Sequence, residues 1–91
     1  MKSIIQTDTD YCFICGRYGT EIHHVFFGTA NRKLSERYGL TVGLCCNHHR
    51  GNAGVHQNKE LDDQLKKQAQ KVFMQTYPWH DFSKVFGKNY L

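Results

Sequence analysis

Ninety-one residues without a Pro-, Gly- or Ser-rich linker read as one domain, with Leu, Ile, Val and Phe only just numerous enough for a core. Twelve Lys and Arg against eight Asp and Glu give a formal charge of +4, a mild bias towards an anionic partner such as nucleic acid that decides nothing alone. No run of about 18 apolar residues exists, and residues 1–10 lack the basic-then-apolar plan of a signal peptide, so the expectation is a cytoplasmic protein that neither spans a membrane nor is exported. In such a reducing setting four Cys and six His read as metal ligands rather than as a disulfide framework.

Residues 1–10 are polar apart from Ile4 and Ile5 and read as a loosely held arm. Cys12-Phe13-Ile14-Cys15-Gly16 follows as a Cys-x-x-Cys turn closed by glycine. Residues 20–27 (TEIHHVFF) are β-branched and aromatic and end at Gly28, which predicts a strand. Residues 29–39 carry three cations, Arg32, Lys33 and Arg37, and are expected to include one helical turn. Residues 40–44 (LTVGL) predict a second strand running into Cys45. After Cys45-Cys46-Asn47-His48-His49-Arg50, the run Gly51-Asn52-Ala53-Gly54 is turn-like and should interrupt any helix begun there.

A helix is predicted from an N-cap at Asn58 to Thr76, with Leu61, Leu65, Ala69, Val72 and Phe73 on one apolar stripe. Two i,i+4 pairs, Asp62 with Lys66 and Asp63 with Lys67, support it. Pro78 ends it, since proline in a helix interior costs about 3 kcal/mol. Residues 79–91 form an aromatic tail expected to pack back across the domain; Trp79, Phe82 and Phe86 could be core, a dimer contact or a stacking surface for bases, and core is preferred.

Cys12-x-x-Cys15 and Cys45-x-x-His48 have the spacing that lets adjacent turns deliver two ligands each to one tetrahedral zinc. Cys46 is an alternative to Cys45. The latter is preferred because it follows apolar Leu44 at the strand end and keeps the two-residue gap to His48. His23, His24, His49 and His56 remain. His23 and His24 are strand neighbours whose side chains point to opposite faces, so one can ligate while the other does different work. His49 follows a zinc ligand and would be fixed by it, and His56 can swing back to join it.

These residues resemble the HNH endonucleases of the ββα-metal (His-Me finger) superfamily, more closely the small phage-type members with a zinc-bound frame. The resemblance runs from Cys12 to about His56, half of the chain. It implies a small α+β fold with a zinc-stapled, treble-clef-like ββα-metal core over residues 11–57; the helix and aromatic tail of residues 58–91 are read from their own pattern. It implies His23 as ligand of the catalytic metal, His24 as general base, and His49 and His56 as further ligands. The chain departs from the pattern in two places. His56 lies seven residues beyond His49 where the family has four, so a Gly-containing insertion must bulge out. Nothing matches the middle Asn that orients the base, a role left to a backbone carbonyl, to Asn47, to Asn52 or to nothing.

The implied chemistry is phosphodiester hydrolysis in DNA, giving 5′-phosphate and 3′-hydroxyl ends. A structural Zn²⁺ and one catalytic divalent ion (Zn²⁺, Ni²⁺, Mn²⁺ or Mg²⁺) are the expected cofactors, with Mg²⁺ least suited to imidazole ligands. Arg32, Lys33, Arg37 and Arg50 flank the site in sequence and could hold phosphates. Two other readings compete: a non-catalytic zinc module that binds nucleic acid or protein, and an accessory nuclease active only with a recombinase or packaging protein.

Overall fold

The computed structural model describes residues 2–52 and 54–91, so Ala53 of the expected turn lies outside the described residues. The elements run β1 (Glu21–His24), α1 (Thr29–Tyr38), β2 (Thr41–Leu44), α2 (Cys46–His49), α3 (Lys59–Thr76) and α4 (Phe82–Phe86). The result is a small α+β domain around one two-stranded antiparallel sheet, in which His23 faces Val42 and His24 faces Thr41. No helix is long and apolar enough to cross a membrane among the described residues.

β1 is shorter than the expected strand over residues 20–27. The ladder with β2 ends at His24 opposite Thr41, and the chain bends at Val25 and Phe26, both of which are buried. Phe26 enters an aromatic cluster with Phe82 and Phe86, at ring separations of 5.2 and 4.8 Å. The tail thus anchors the residue just beyond the histidine-bearing strand. Trp79 does not take part: it is 73% exposed, because it lies in the turn between Pro78 and α4 rather than on a helix face directed inward.

The segment between the strands is a ten-residue helix, not one turn. Its apolar content is low, with Leu34 and Tyr38 packed on the core, and the buried Ser35 hydroxyl compensates by bonding both the N–H and the carbonyl of Phe26. The N-terminal arm is likewise tied down. Ile4 N–H donates to Gly39 O, Ser3 Oγ to the Thr41 carbonyl, and Gly43 N–H to Gln6 Oε1, while Ile4 and Ile5 pack on the core. All four β2 residues are buried in consequence. A side chain at Gly43 would collide with the Thr9 carbonyl, so only glycine lets the arm lie this close.

α3 begins and ends as its sequence signals predict. Asn58 Oδ1 accepts from Leu61 N–H, and Tyr77 caps the last turn before Pro78. Leu65, Ala69 and Phe73 are buried, Leu61 packs on the core, and Val72 is half-buried. Asp62 pairs with Lys66 at 2.8 Å, whereas the expected Asp63–Lys67 pair is absent among the described residues. Asp62 lies on the buried side of the helix, which confines it and its partner to one geometry. Gln70, also buried, donates to Asn89 Oδ1 and accepts from Tyr90 N–H, fastening the tail.

Candidate metal centres

The turn at residues 12–15 is closed by Gly16 N–H on the Cys12 carbonyl and held to the sheet by Phe13 N–H on Gly43 O. Opposite it, β2 runs into Cys45, and one turn of α2 brings His48 to the same side. Cys12, Cys15, Cys45 and His48 place their ligand atoms within 4.8 Å of one another. A tetrahedral ion with metal–sulfur bonds of about 2.3 Å and metal–nitrogen bonds of about 2.0–2.1 Å sets edges of about 3.8 Å between sulfurs and about 3.6 Å from sulfur to nitrogen. The observed edges are 3.8 Å for Cys15–Cys45, 3.7 Å for Cys12–His48 Nδ1 and 3.3 Å for Cys45–His48 Nδ1. They match a metal-sized gap, and all four cysteines are free of disulfides. Cys46 is exposed and outside the cluster, so the preference for Cys45 agrees with the geometry.

The electrostatics fit a cation. Burial pushes the Cys12 thiol up, but N–H groups of Cys45, Cys15 and Ile14 together hold it lowered to about 6. Cys15 goes the other way. The Arg17 N–H lowers it, but burial and the Cys12 and Cys45 sulfurs raise it, and a cation between the sulfurs would offset that crowding.

A second cluster lies on the other side of α2. His23, His49 and His56 also bring one ligand atom each within 4.8 Å of the others, and their rings form a triangle with sides of 5.1, 5.2 and 5.0 Å. His23 is 2% exposed, and its Nε2 is buried without a hydrogen-bond partner. Such an atom is costly unless something binds it, and a metal ion does so without a proton. Burial foremost, then the neighbouring His49 and His56, lower the His23 pKa to about 3, which keeps its lone pair available.

His56 does come back to the cluster from beyond the insertion. Val55 N–H bonds the His48 carbonyl and returns the chain to α2, and a Cβ on Gly54 would come within 2.9 Å of the His48 and His49 backbone. Glycine at 54 is what allows His56 to reach the other two rings.

Two acidic residues complete the arrangement, and the spacing rules singled out neither. His49 Nδ1 donates to Glu21 Oε1 at 2.8 Å, the carboxylate partner that metal-binding imidazoles commonly have. His49 lowers the Glu21 pKa against the effect of burial, and Arg50 adds to the lowering. His24 Nε2 donates to Glu36 Oε2 at 2.8 Å, and this bond lowers the Glu36 pKa. Among the described residues neither Asn47 nor Asn52 bonds His24; Glu36 from α1 does. A groove of about 250 Å³ is lined by Ile22, His23, His24, Phe27, Arg32, His49 and His56. A wider one of about 650 Å³ continues from His24 and Arg32 past Thr29, Lys33 and Glu36. Arg37 flanks a further shallow groove beside Lys33. Arg50 lies apart from these, its guanidinium forked onto Glu21.

Comparison of the chain with family models, curated proteins and solved structures finds no match to any of them.

Proposed function

We propose that this protein is a metal-dependent DNA endonuclease of the HNH type, built on a ββα-metal core. The observation that supports the reading best is the small groove that joins His24 to the three converging imidazoles and to Arg32. Three imidazoles with open positions for solvent are a catalytic donor set, while three thiolates and one imidazole make a closed structural one, best suited to Zn²⁺. In the first set Zn²⁺, Ni²⁺, Co²⁺ or Mn²⁺ fits better than Mg²⁺. When bound there, the ion supplies charge to stabilise the scissile phosphate and the departing 3′ oxygen.

The rest is work for the chain's own residues. The Glu36 carboxylate can only accept, so His24 carries its proton on Nε2 and Nδ1 is the free base. Nδ1 takes a proton from water as the water oxygen bonds to phosphorus and the phosphorus–O3′ bond breaks, leaving 5′-phosphate and 3′-hydroxyl ends once the leaving oxygen is protonated by solvent. Arg32 and Lys33 line the continuing groove and hold the flanking phosphates.

The test is nicking of supercoiled plasmid by protein that keeps its cysteine-bound ion, with Mg²⁺, Mn²⁺, Ni²⁺ or Zn²⁺ added. His24→Ala is expected to lower the rate about 10²–10⁴-fold with folding unchanged. Equal inertness of both proteins with every metal, while both still bind DNA, would leave a nucleic-acid-binding module.

A further inference from the structure

β1 carries Glu21 and His23 two residues apart, so both side chains leave the same face of the strand, the face against which α2 packs. His23 contributes a ring to the imidazole cluster, and Glu21 reaches the neighbouring ring from behind. Its Oε1 accepts from His49 Nδ1 at 2.8 Å and from Arg50 Nε at 3.0 Å, and its Oε2 accepts from Arg50 Nη2. One carboxylate thus holds two consecutive residues of the α2 terminus. We propose that Glu21 is a positioning residue for the imidazole site, fixing His49 as the Nδ1–H tautomer with Nε2 as its lone-pair nitrogen, and that Arg50 serves to hold Glu21 in this pose rather than to grip DNA. The proposal rests on the imidazole cluster being a metal site.

Three features support the assignment. An ionised carboxylate has no proton to give, so the bonded nitrogen of His49 must carry one, and a neutral ring then has its lone pair on the other nitrogen. The Nε and Nη2 groups of Arg50 form a planar two-point fork on the carboxylate, a geometry that restricts rotation of the Glu21 side chain. Lastly, neither His23 nor His56 has a carboxylate partner among the described residues, so the ring held by Glu21 is the one whose direction is set before an ion arrives.

The decisive experiment measures metal binding, not cleavage. Full-length protein loaded with Zn²⁺ at its cysteines is titrated with Co²⁺ by calorimetry and visible absorption, where the lack of a thiolate charge-transfer band shows that cobalt has not entered the cysteine site. Glu21→Ala is expected to weaken Co²⁺ binding about 10–100-fold. Glu21→Gln, which keeps an acceptor but loses the charge, should fall between it and wild type. Two-dimensional ¹H–¹⁵N spectra should show His49 as a single Nδ1–H tautomer in wild type and a mixture in Glu21→Ala, a change that loss of a mere surface ion pair would not produce. Wild-type affinity and an unchanged His49 tautomer in both variants would overturn the proposal and leave the metal reading intact. Failure of the wild type to bind Co²⁺ at all would overturn both.

Discussion

The two clusters that α2 separates are made from similar counts of residues and differ in nearly every physical respect. The Cys12–Cys15–Cys45–His48 set is complete as a tetrahedron, with edges already near those of a coordinated ion, and both of its halves are tied to the sheet by backbone hydrogen bonds. The His23–His49–His56 set has three donors from three segments of the chain, one buried, one half-buried and one exposed, and a groove opens beside it. A closed set of soft donors serves to hold a fold together, whereas an incomplete set of imidazoles leaves positions for exchangeable ligands. A thin core around two four-residue strands needs the former before the latter can exist.

The sharpest way to break that contrast is to remove one ligand from each side. Cys45→Ser is expected to abolish the cooperative thermal transition followed by near-ultraviolet circular dichroism, since structural zinc sites in small domains carry about 10–16 kcal/mol of apparent binding energy that is also folding energy. A retained transition would show that the thiolate cluster is not the staple. His56→Ala should do the opposite. As an exposed residue it should cost the fold no more than about 0.5 kcal/mol, while Co²⁺ binding at the imidazole site weakens more than 10-fold, on the order of 1.4 kcal/mol, and nicking declines with it.

Acid should reveal the imidazole cluster more gently. His23 is lowered from its ordinary 6.5 to about 3 by burial and by its neighbouring rings. Between these values the unfolded chain binds a proton that the folded chain does not, so stability is present above pH 6.5 and declines as pH falls towards 3. With the cysteine site loaded and the imidazole site empty, melting temperatures should be flat above pH 6.5 and begin to fall just below it, with a contribution from this ring of at most about 1.4 kcal/mol per pH unit. His23→Gln should flatten that part of the curve; an identical slope in the variant would assign the acid sensitivity to other groups.

Much of this arrangement was legible in the sequence because the ligands come in local pairs. Two gaps of two residues predicted the thiolate cluster, and the geometry brings those four residues together. Adjacency to His48 and the glycine-rich insertion foretold that His49 and His56 could meet. Glu21 and Glu36 were not foreseen, since a single carboxylate carries no spacing signal, although Glu21 two residues before His23 on a strand already places the two on one face. Glu36 depends on how α1 lies over the hairpin, which the sequence pattern underestimated because Leu34 and Tyr38 are its only large apolar contacts with the core. The arm escaped notice for a related reason. Besides Ile4 and Ile5, it is fastened by Ser3, Gln6 and main-chain bonds, which hydropathy does not register. Trp79 shows the reverse error, an aromatic residue assigned to the core that faces solvent.

His48 and His49 are consecutive in α2, a helix of four residues, and successive side chains on a helix diverge by about 100°. One ring therefore faces the thiols and the next faces β1. This adjacency dictates an order of filling. An ion held by the cysteines would tie residue 48 to residue 12, closing a loop of 36 positions, and would place residue 49 beside β1, where Glu21 meets its ring. An ion at the imidazoles would then meet a ring already aimed, so on the proposed reading the two sites should load in sequence and empty in reverse.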